Sequence, residues 1–193
     1  MYKSGYTLRI YRILENDLVN FLNNISIEYY LGEERKKIYS PKLAELLIRI
    51  GSQVDIFFRN WDIVHETYKK NNPKKQLNLG KLYIENYKDI ERDGEIILSD
   101  KKIEILFTEE IIKPFEFWTD KRYPIWWKAY NNVKHQGFTC RKEGNLYNVI
   151  ESLAALFLLN CVNENANSNA IKYGFVDEGK GEWKDFLYNI PSI

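Results

Sequence analysis

The segment from Asn145 to Val162 restricts the fold of this chain most strongly, because it is a helix-length run of mainly apolar residues. Asn145 is a suitable N-cap, and the residues after it predict a helix that is largely buried. Its apolar positions are Leu146, Val149, Ile150, Leu153, Ala154, Leu156, Phe157 and Leu158. A helix that is apolar over most of its surface needs other elements packed around it. The sequence therefore predicts a helical bundle that includes this segment.

Two earlier segments predict long antiparallel helices joined by a short link, which is a natural foundation for a bundle. The first extends from about Leu8 to Leu31, where apolar residues recur at intervals of three and four. The second begins with Ser40 as N-cap and Pro41 as the first helical residue. Its buried stripe continues from Leu43 to Trp61.

The middle of the chain predicts a third helix, from Leu79 to about Glu91, and then a β-hairpin near residues 95–107. Two short apolar runs flank a Ser-Asp-Lys-Lys turn there. A fourth helix is expected to begin near Pro124. We thus predict a mainly all-α bundle of about five helices, with a small β-hairpin inserted between the third and fourth long helices.

These elements are expected to form one domain over residues 1–163, with residues 164–193 as a tail. The tail is polar and rich in glycine, but it carries three large apolar side chains. Trp183, Phe186 and Leu187 are expected to dock the tail back onto the same domain.

Charge and composition limit the class of protein. The chain has 28 basic and 27 acidic residues, which argues against a broad nucleic-acid surface but allows a local basic patch. The apolar run Leu153–Val162 is about half of the ~20 residues that a membrane span needs. Cys140 and Cys161 are too few for a disulfide framework or a zinc cluster. We predict a cytoplasmic protein with no membrane association, no metal and no cofactor.

The predicted fourth helix carries the residues best suited to chemistry. One face repeats apolar side chains at Trp126, Ala129, Tyr130 and Val133. The adjoining face repeats polar side chains at Lys128, Asn131, Asn132 and His135. A lysine can hold a phosphate, and an imidazole titrates near neutrality and can move a proton. The alternative for His135 is a structural role, as a cap on the last carbonyls of the helix.

The run Asn131-Asn132-Val133-Lys134-His135, followed by a polar loop and the apolar helix at Asn145, resembles the closing section of HEPN superfamily domains. The resemblance covers about Leu8 to Val162, and its specific part is the last two helices. It implies a metal-independent endoribonuclease of a toxin–antitoxin or defence system. In that family the ribose 2′-hydroxyl attacks its own phosphate. The implied partners are RNA, a second copy of the chain and a cognate antitoxin or another protein.

The family motif is an arginine followed a few residues later by a histidine. His135 matches the histidine, and Asn131 or Asn132 resembles the polar residue that often follows the arginine. Positions 128–130 read Lys-Ala-Tyr, so Lys128 stands where the arginine is expected, with the charge but without the planar donor fork. These four residues form the predicted catalytic set. The predicted substrate-binding residues are Lys134, Arg141 and Asp55.

Asp55 and Arg59 lie one turn apart on the second predicted helix. They form either a structural ion pair or, if they lie opposite His135, a group that orients the imidazole. The alternative function is a non-catalytic interaction or scaffold domain, consistent with the missing arginine. It predicts that His135 is packed internally, whereas a nuclease needs His135 in an open groove.

Overall fold

The computed structural model describes residues 4–30, 32–60, 98–118, 122–162 and 187–189. Within these ranges the chain forms four α-helices: α1, Ser4–Leu22; α2, Pro41–Asn60; α3, Ile125–Gln136; and α4, Leu146–Val162. Three short strands complete them: β1, Ile103–Ile105; β2, Glu110–Ile112; and β3, Tyr188–Asn189. The predicted mainly helical fold with a small β-hairpin is confirmed. The predicted helix Leu79–Glu91 lies outside the described residues.

α4 lies at the centre of the bundle and contacts α1, α2 and α3. From Leu153 to Leu159 every side chain is at most 1% exposed, as expected for a helix that is apolar on all sides. Two of its buried polar side chains bond to its own backbone: Ser152 Oγ donates to the carbonyl of Val149 at 2.9 Å, and Asn160 Nδ2 to that of Leu156 at 2.8 Å. In the described ranges no helix combines the length and the apolarity that crossing a membrane requires.

The two predicted caps are present. Ser40 Oγ accepts a hydrogen bond from the N–H of Leu43 at 3.1 Å, and α2 begins at Pro41. Asn145 Oδ1 accepts one from the N–H of Asn148 at 2.9 Å, at the start of α4. Both caps satisfy backbone donors that a helix leaves without partners in its first turn.

The first helix ends earlier than predicted, at Leu22 rather than Leu31. Asn23 and Asn24 follow it in a turn, and Asn24 Nδ2 donates to the carbonyl of Asn20 at 2.6 Å. Asparagine side chains compete for backbone groups in this way and favour helix ends. The apolar periodicity beyond Leu22 continues in a short 3₁₀ helix, Ile27–Tyr30.

The β-hairpin also lies elsewhere than predicted, at residues 103–112 rather than 95–107. Leu98–Asp100 is a 3₁₀ turn that leads into β1, with Leu98 buried, and residues 95–97 lie outside the described residues. The reversal falls at residues 106–109, where Glu109 adopts a left-handed φ of 58°. Glycine or asparagine usually occupies such a position, so the sequence carried no ordinary turn signal there.

β3 adds a third strand to the hairpin, in the order β2-β1-β3. Tyr188 pairs with Ile105, and its hydroxyl donates to the carbonyl of Ile150 on α4 at 2.8 Å. Leu187 is buried at 4% exposure, so residues 187–189 are packed against both β1 and α4. Trp183 and Phe186 lie outside the described residues.

Candidate functional site

α3 is held in place by aromatic packing at its start and by a close approach to α2 in its middle. Trp126 Nε1 donates to the carbonyl of Pro114 at 2.7 Å, and its ring lies 6.0 Å from that of Phe115. Farther along, Tyr130 packs directly against Gly51 of α2, where an added Cβ would lie only 2.4 Å from the ring. These contacts bury the predicted core stripe of α3 and turn its polar face outward.

The polar face of α3 and one side of α2 enclose a cavity of 420 Å³. Its polar lining residues are Asp55, Arg59, Lys128, Asn131, Asn132, Lys134 and His135. We call it the His135 cavity. All four residues of the predicted catalytic set line it, together with two of the three predicted substrate-binding residues. The third, Arg141, is an exposed residue of the 3₁₀ segment Gly137–Glu143 and does not line the cavity.

His135 is exposed, and its imidazole makes no hydrogen bond to any residue in the part of the chain that the structure describes. The end of α3 is capped instead by Gly137, whose N–H donates to the carbonyl of Val133. Gly137 has a φ of 53°, a conformation in which glycine carries no steric penalty. His135 is therefore available to a molecule in the cavity.

The two asparagines combine structural contacts with their place in the lining. Asn131 Nδ2 donates to the carbonyl of Trp127 at 2.9 Å, one turn back along α3. Asn132 Nδ2 donates to both carboxylate oxygens of Glu143, at 3.1 and 3.0 Å. Asn132 thereby connects α3 to the segment that follows it. Both asparagine side chains therefore donate hydrogen bonds within the protein.

Arg59 also lines the cavity, although the sequence identified it only as a partner of Asp55. Arg59 Nη2 lies 2.8 Å from Asp55 Oδ2, and both residues line the cavity from α2. A guanidinium and the imidazole of His135 therefore share one cavity although they come from different helices. The sequence indicated only that Asp55 and Arg59 lie one turn apart on α2. Which side of α3 they face is a property of the tertiary structure.

Lys134 contributes a second kind of contact. Its Nζ donates to the hydroxyl of Tyr130 at 3.0 Å and lies 5.1 Å from the centre of that ring. Lys128 is exposed and forms no ion pair within the described residues. With Arg59, these side chains place three cations and one carboxylate, Asp55, around the cavity. Its local charge is therefore positive in a molecule whose net charge is only +1.

Comparison with known proteins adds no relative: no family model, no characterised protein and no solved structure matches this chain. Among the described residues, His, Cys, Asp and Glu side chains do not gather into any group of three that could hold a metal ion. The geometry of the His135 cavity is therefore the basis for assigning a function to this protein.

Proposed function

We propose that this chain is a HEPN-like domain that binds single-stranded RNA in the His135 cavity and cleaves it without a metal ion. One observation carries the proposal: an exposed imidazole shares a cavity of 420 Å³ with three cationic side chains. Phosphate contacts by lysine and arginine supply most of the affinity of proteins for nucleic acids. An imidazole beside them can transfer the proton that transesterification requires.

The proposed reaction is the attack of a ribose 2′-hydroxyl on the adjacent phosphorus. His135 takes the proton of the hydroxyl as the bond between the 2′-oxygen and phosphorus forms. The bond from phosphorus to the 5′-oxygen breaks, and the imidazolium returns the proton to that oxygen. The products are a 2′,3′-cyclic phosphate and a 5′-hydroxyl. Lys128 and Arg59 stabilise the charge that develops on the other phosphate oxygens.

Arg59 supports the proposal because it supplies the guanidinium that the helix of His135 lacks. A guanidinium offers a planar pair of donors to a phosphate, which lysine cannot do. Asp55 keeps this group in position through the ion pair of 2.8 Å. The alternative of a scaffold domain predicts that His135 is packed internally, whereas His135 is exposed.

RNA binding is tested by fluorescence anisotropy with a single-stranded RNA, as a function of salt concentration. We expect Lys128→Ala to weaken binding and to reduce the slope of log Kd against log salt by about 0.7, the value for one phosphate contact on a single strand. Lys42→Ala is the matched control, because Lys42 is an exposed lysine of α2 that does not line the cavity. Equal affinities of the two variants would contradict the proposed site.

Cleavage is tested with the same RNA in the presence of EDTA. We expect His135→Ala to lower the cleavage rate by about 10²–10⁴-fold, the usual contribution of general acid–base catalysis, and to leave the fold intact. Arg59→Lys keeps the charge and should retain more activity than Arg59→Ala. Cleavage by His135→Ala at the wild-type rate, or no cleavage by the wild type, would exclude the enzymatic function.

A further inference from the structure

A second cavity lies between the β-hairpin, the segment that enters α3 and the start of α4. Its volume is 410 Å³, within the range of about 300–1,000 Å³ that is usual for small-molecule sites. Its lining includes Lys102, Lys113, Glu116, Phe117, Tyr147 and Glu151. We call it the Glu151 cavity. It shares no lining residue with the His135 cavity, so the two are separate sites.

The burial of the Glu151 side chain is not explained by apolar packing. Glu151 places a carboxyl on the apolar helix α4, and it is only 8% exposed. Burial of a carboxyl is costly unless hydrogen bonds or charges compensate for the lost water. Within the described residues its side chain is hydrogen-bonded to Tyr147. A carboxylate has about four acceptor positions, so Glu151 can accept further hydrogen bonds from a molecule in the cavity.

The buried arginine nearby does not neutralise Glu151 by direct pairing. Arg35 forms its ion pair with Glu110, at 3.2 Å between Nη1 and Oε2. Its guanidinium also lies 5.5 Å from the centre of the Tyr147 ring. Arg35 therefore acts on Glu151 through its charge, and the acceptor positions of Glu151 that face the cavity are left to a ligand.

Two lysines give the same cavity a site for an anion. Lys102 is exposed and Lys113 is half-buried, and both line the cavity. Neither ammonium group forms an ion pair with a residue that the structure describes. The exposed carboxyl of Glu116 lines the cavity as well, so among the described residues its charged lining consists of two lysines and two carboxyl groups. A ligand that carries an anionic group and N–H donors can use the lysines and Glu151 together.

Three large apolar side chains belong to the exposed part of the cavity lining, together with Lys102 and Glu116. Ile111, Phe117 and Ile125 are among its lining residues, and they are 59%, 46% and 53% exposed. Exposed apolar side chains that line one cavity provide a surface for the apolar part of a ligand. Phe117 offers a face on which an aromatic ring can stack.

We propose that the Glu151 cavity binds a free guanine mononucleotide, with Glu151 accepting two N–H groups of the base and the lysines contacting the phosphate. Guanine carries two neighbouring donors, N1–H and N2–H, that match the two oxygens of one carboxylate. Adenine presents an unprotonated N1 at the same edge and would be repelled. This proposal does not depend on RNA binding in the His135 cavity.

The charge state of Glu151 adds a pH dependence to the proposal. Burial raises the pKa of Glu151 to about 7, with smaller contributions in the same direction from Glu110 and Glu116. Arg35 and the hydrogen bond from Tyr147 act in the opposite direction. Because the base donates to an ionised carboxylate, the affinity for GMP should rise between pH 6 and 8. AMP carries the same phosphate and is the control for its titration.

The proposal is tested by isothermal titration calorimetry of the full chain at pH 8 with GMP, IMP, AMP and CMP. We expect GMP to bind about tenfold or more tightly than AMP, as for a base read by two hydrogen bonds. IMP, which lacks the N2 amino group, should fall between them. Glu151→Gln should weaken GMP binding by about tenfold and should not weaken AMP binding, because the variant lacks the carboxylate that repels N1 of adenine.

Two further variants make the result specific. Lys113→Ala should weaken GMP but not guanosine, which lacks the phosphate. Phe117→Ala, at an exposed position that leaves the core intact, should weaken both GMP and AMP through loss of stacking. The variant Lys128→Ala of the other cavity should bind GMP like the wild type, even if it no longer binds RNA. No binding of GMP by the wild type, or equal binding by Glu151→Gln, would overturn the proposal.

Discussion

At the scale of single residues, Glu151 shows how burial and charge together set the properties of a side chain. Burial disfavours its ionised form, and this raises its pKa from 4.5 to about 7. The folded state therefore holds this proton more tightly than the unfolded chain does. Folding stability from this group is fully present below about pH 4.5 and is lost as pH rises through about 7.

We expect Glu151→Gln to remove this loss, because glutamine does not ionise. At pH 5 the variant and the wild type should unfold with similar free energies. At pH 8.5 the variant should be more stable, by on the order of 3 kcal/mol for a shift of this size. Urea denaturation at the two pH values measures the difference. If the stability difference between the two proteins is the same at both pH values, folding does not raise the pKa of Glu151.

The residues of the His135 cavity differ in how much of their role could be predicted from the sequence. The sequence was enough to select four residues as site candidates, because one helix places them on one face: Lys128, Asn131, Asn132 and His135. The second role of Asn132, its bonds of 3.1 and 3.0 Å to Glu143, could not be predicted. The bond requires a particular path of the chain after α3, and no local pattern specifies that path.

At the scale of elements, the contact between α2 and α3 depends on the absence of a side chain at Gly51. A Cβ at that position would lie 2.4 Å from two atoms of the Tyr130 ring. The ring is 1% exposed and cannot move into solvent. Close-packed interiors respond to such overlap by separating the two elements.

Gly51→Ala should therefore lower the free energy of unfolding by about 1–3 kcal/mol, despite the better helix propensity of alanine. Thermal or urea denaturation measures the change, and Ser52→Ala on the next residue is the control. In Tyr130→Ala the same glycine substitution should cost much less, because the clash partner is gone. If Gly51→Ala lowers the free energy of unfolding equally in the wild type and in Tyr130→Ala, the loss does not come from a clash with the Tyr130 ring.

The elements themselves were predictable where local signals agree. Ser40 with Pro41 marked the start of α2, and Asn145 marked that of α4. The prediction was wrong where apolar periodicity continued past a local stop, as after Leu22, and where the hairpin turn used Glu109 in a left-handed conformation. After Leu22 the asparagines of the turn end the helix, and at Glu109 the turn lacks the glycine or asparagine that would have marked it.

At the scale of the whole molecule, the strand β3 joins the sheet to the core. Tyr188 is fully buried, its hydroxyl bonds to the carbonyl of Ile150 on α4, and its ring lies 5.9 Å from that of Phe157. On its other side β3 pairs with β1. The same residue thus connects the sheet, the central helix and the segment near the end of the chain.

Tyr188→Ala should destabilise the fold by about 3–5 kcal/mol, the usual cost of removing a buried aromatic side chain. Tyr188→Phe should cost about 1 kcal/mol, because it removes only the hydrogen bond. Tyr6→Ala, at a tyrosine that is 61% exposed, is the matched control and should change the stability by less than about 0.5 kcal/mol. Urea denaturation compares all three. Similar losses for Tyr188→Ala and Tyr6→Ala would mean that β3 does not stabilise the core.

The sequence by itself determined that the four described helices form, the N-caps of α2 and α4, the central position of α4 and the polar face of α3. These follow from periodicity and from capping chemistry, which act over a few residues. Only the tertiary structure decided that Arg59 shares a cavity with His135, that Glu151 is enclosed in a second cavity and that β3 pairs with β1. These arrangements join residues far apart in the chain, and the packing of whole elements sets them.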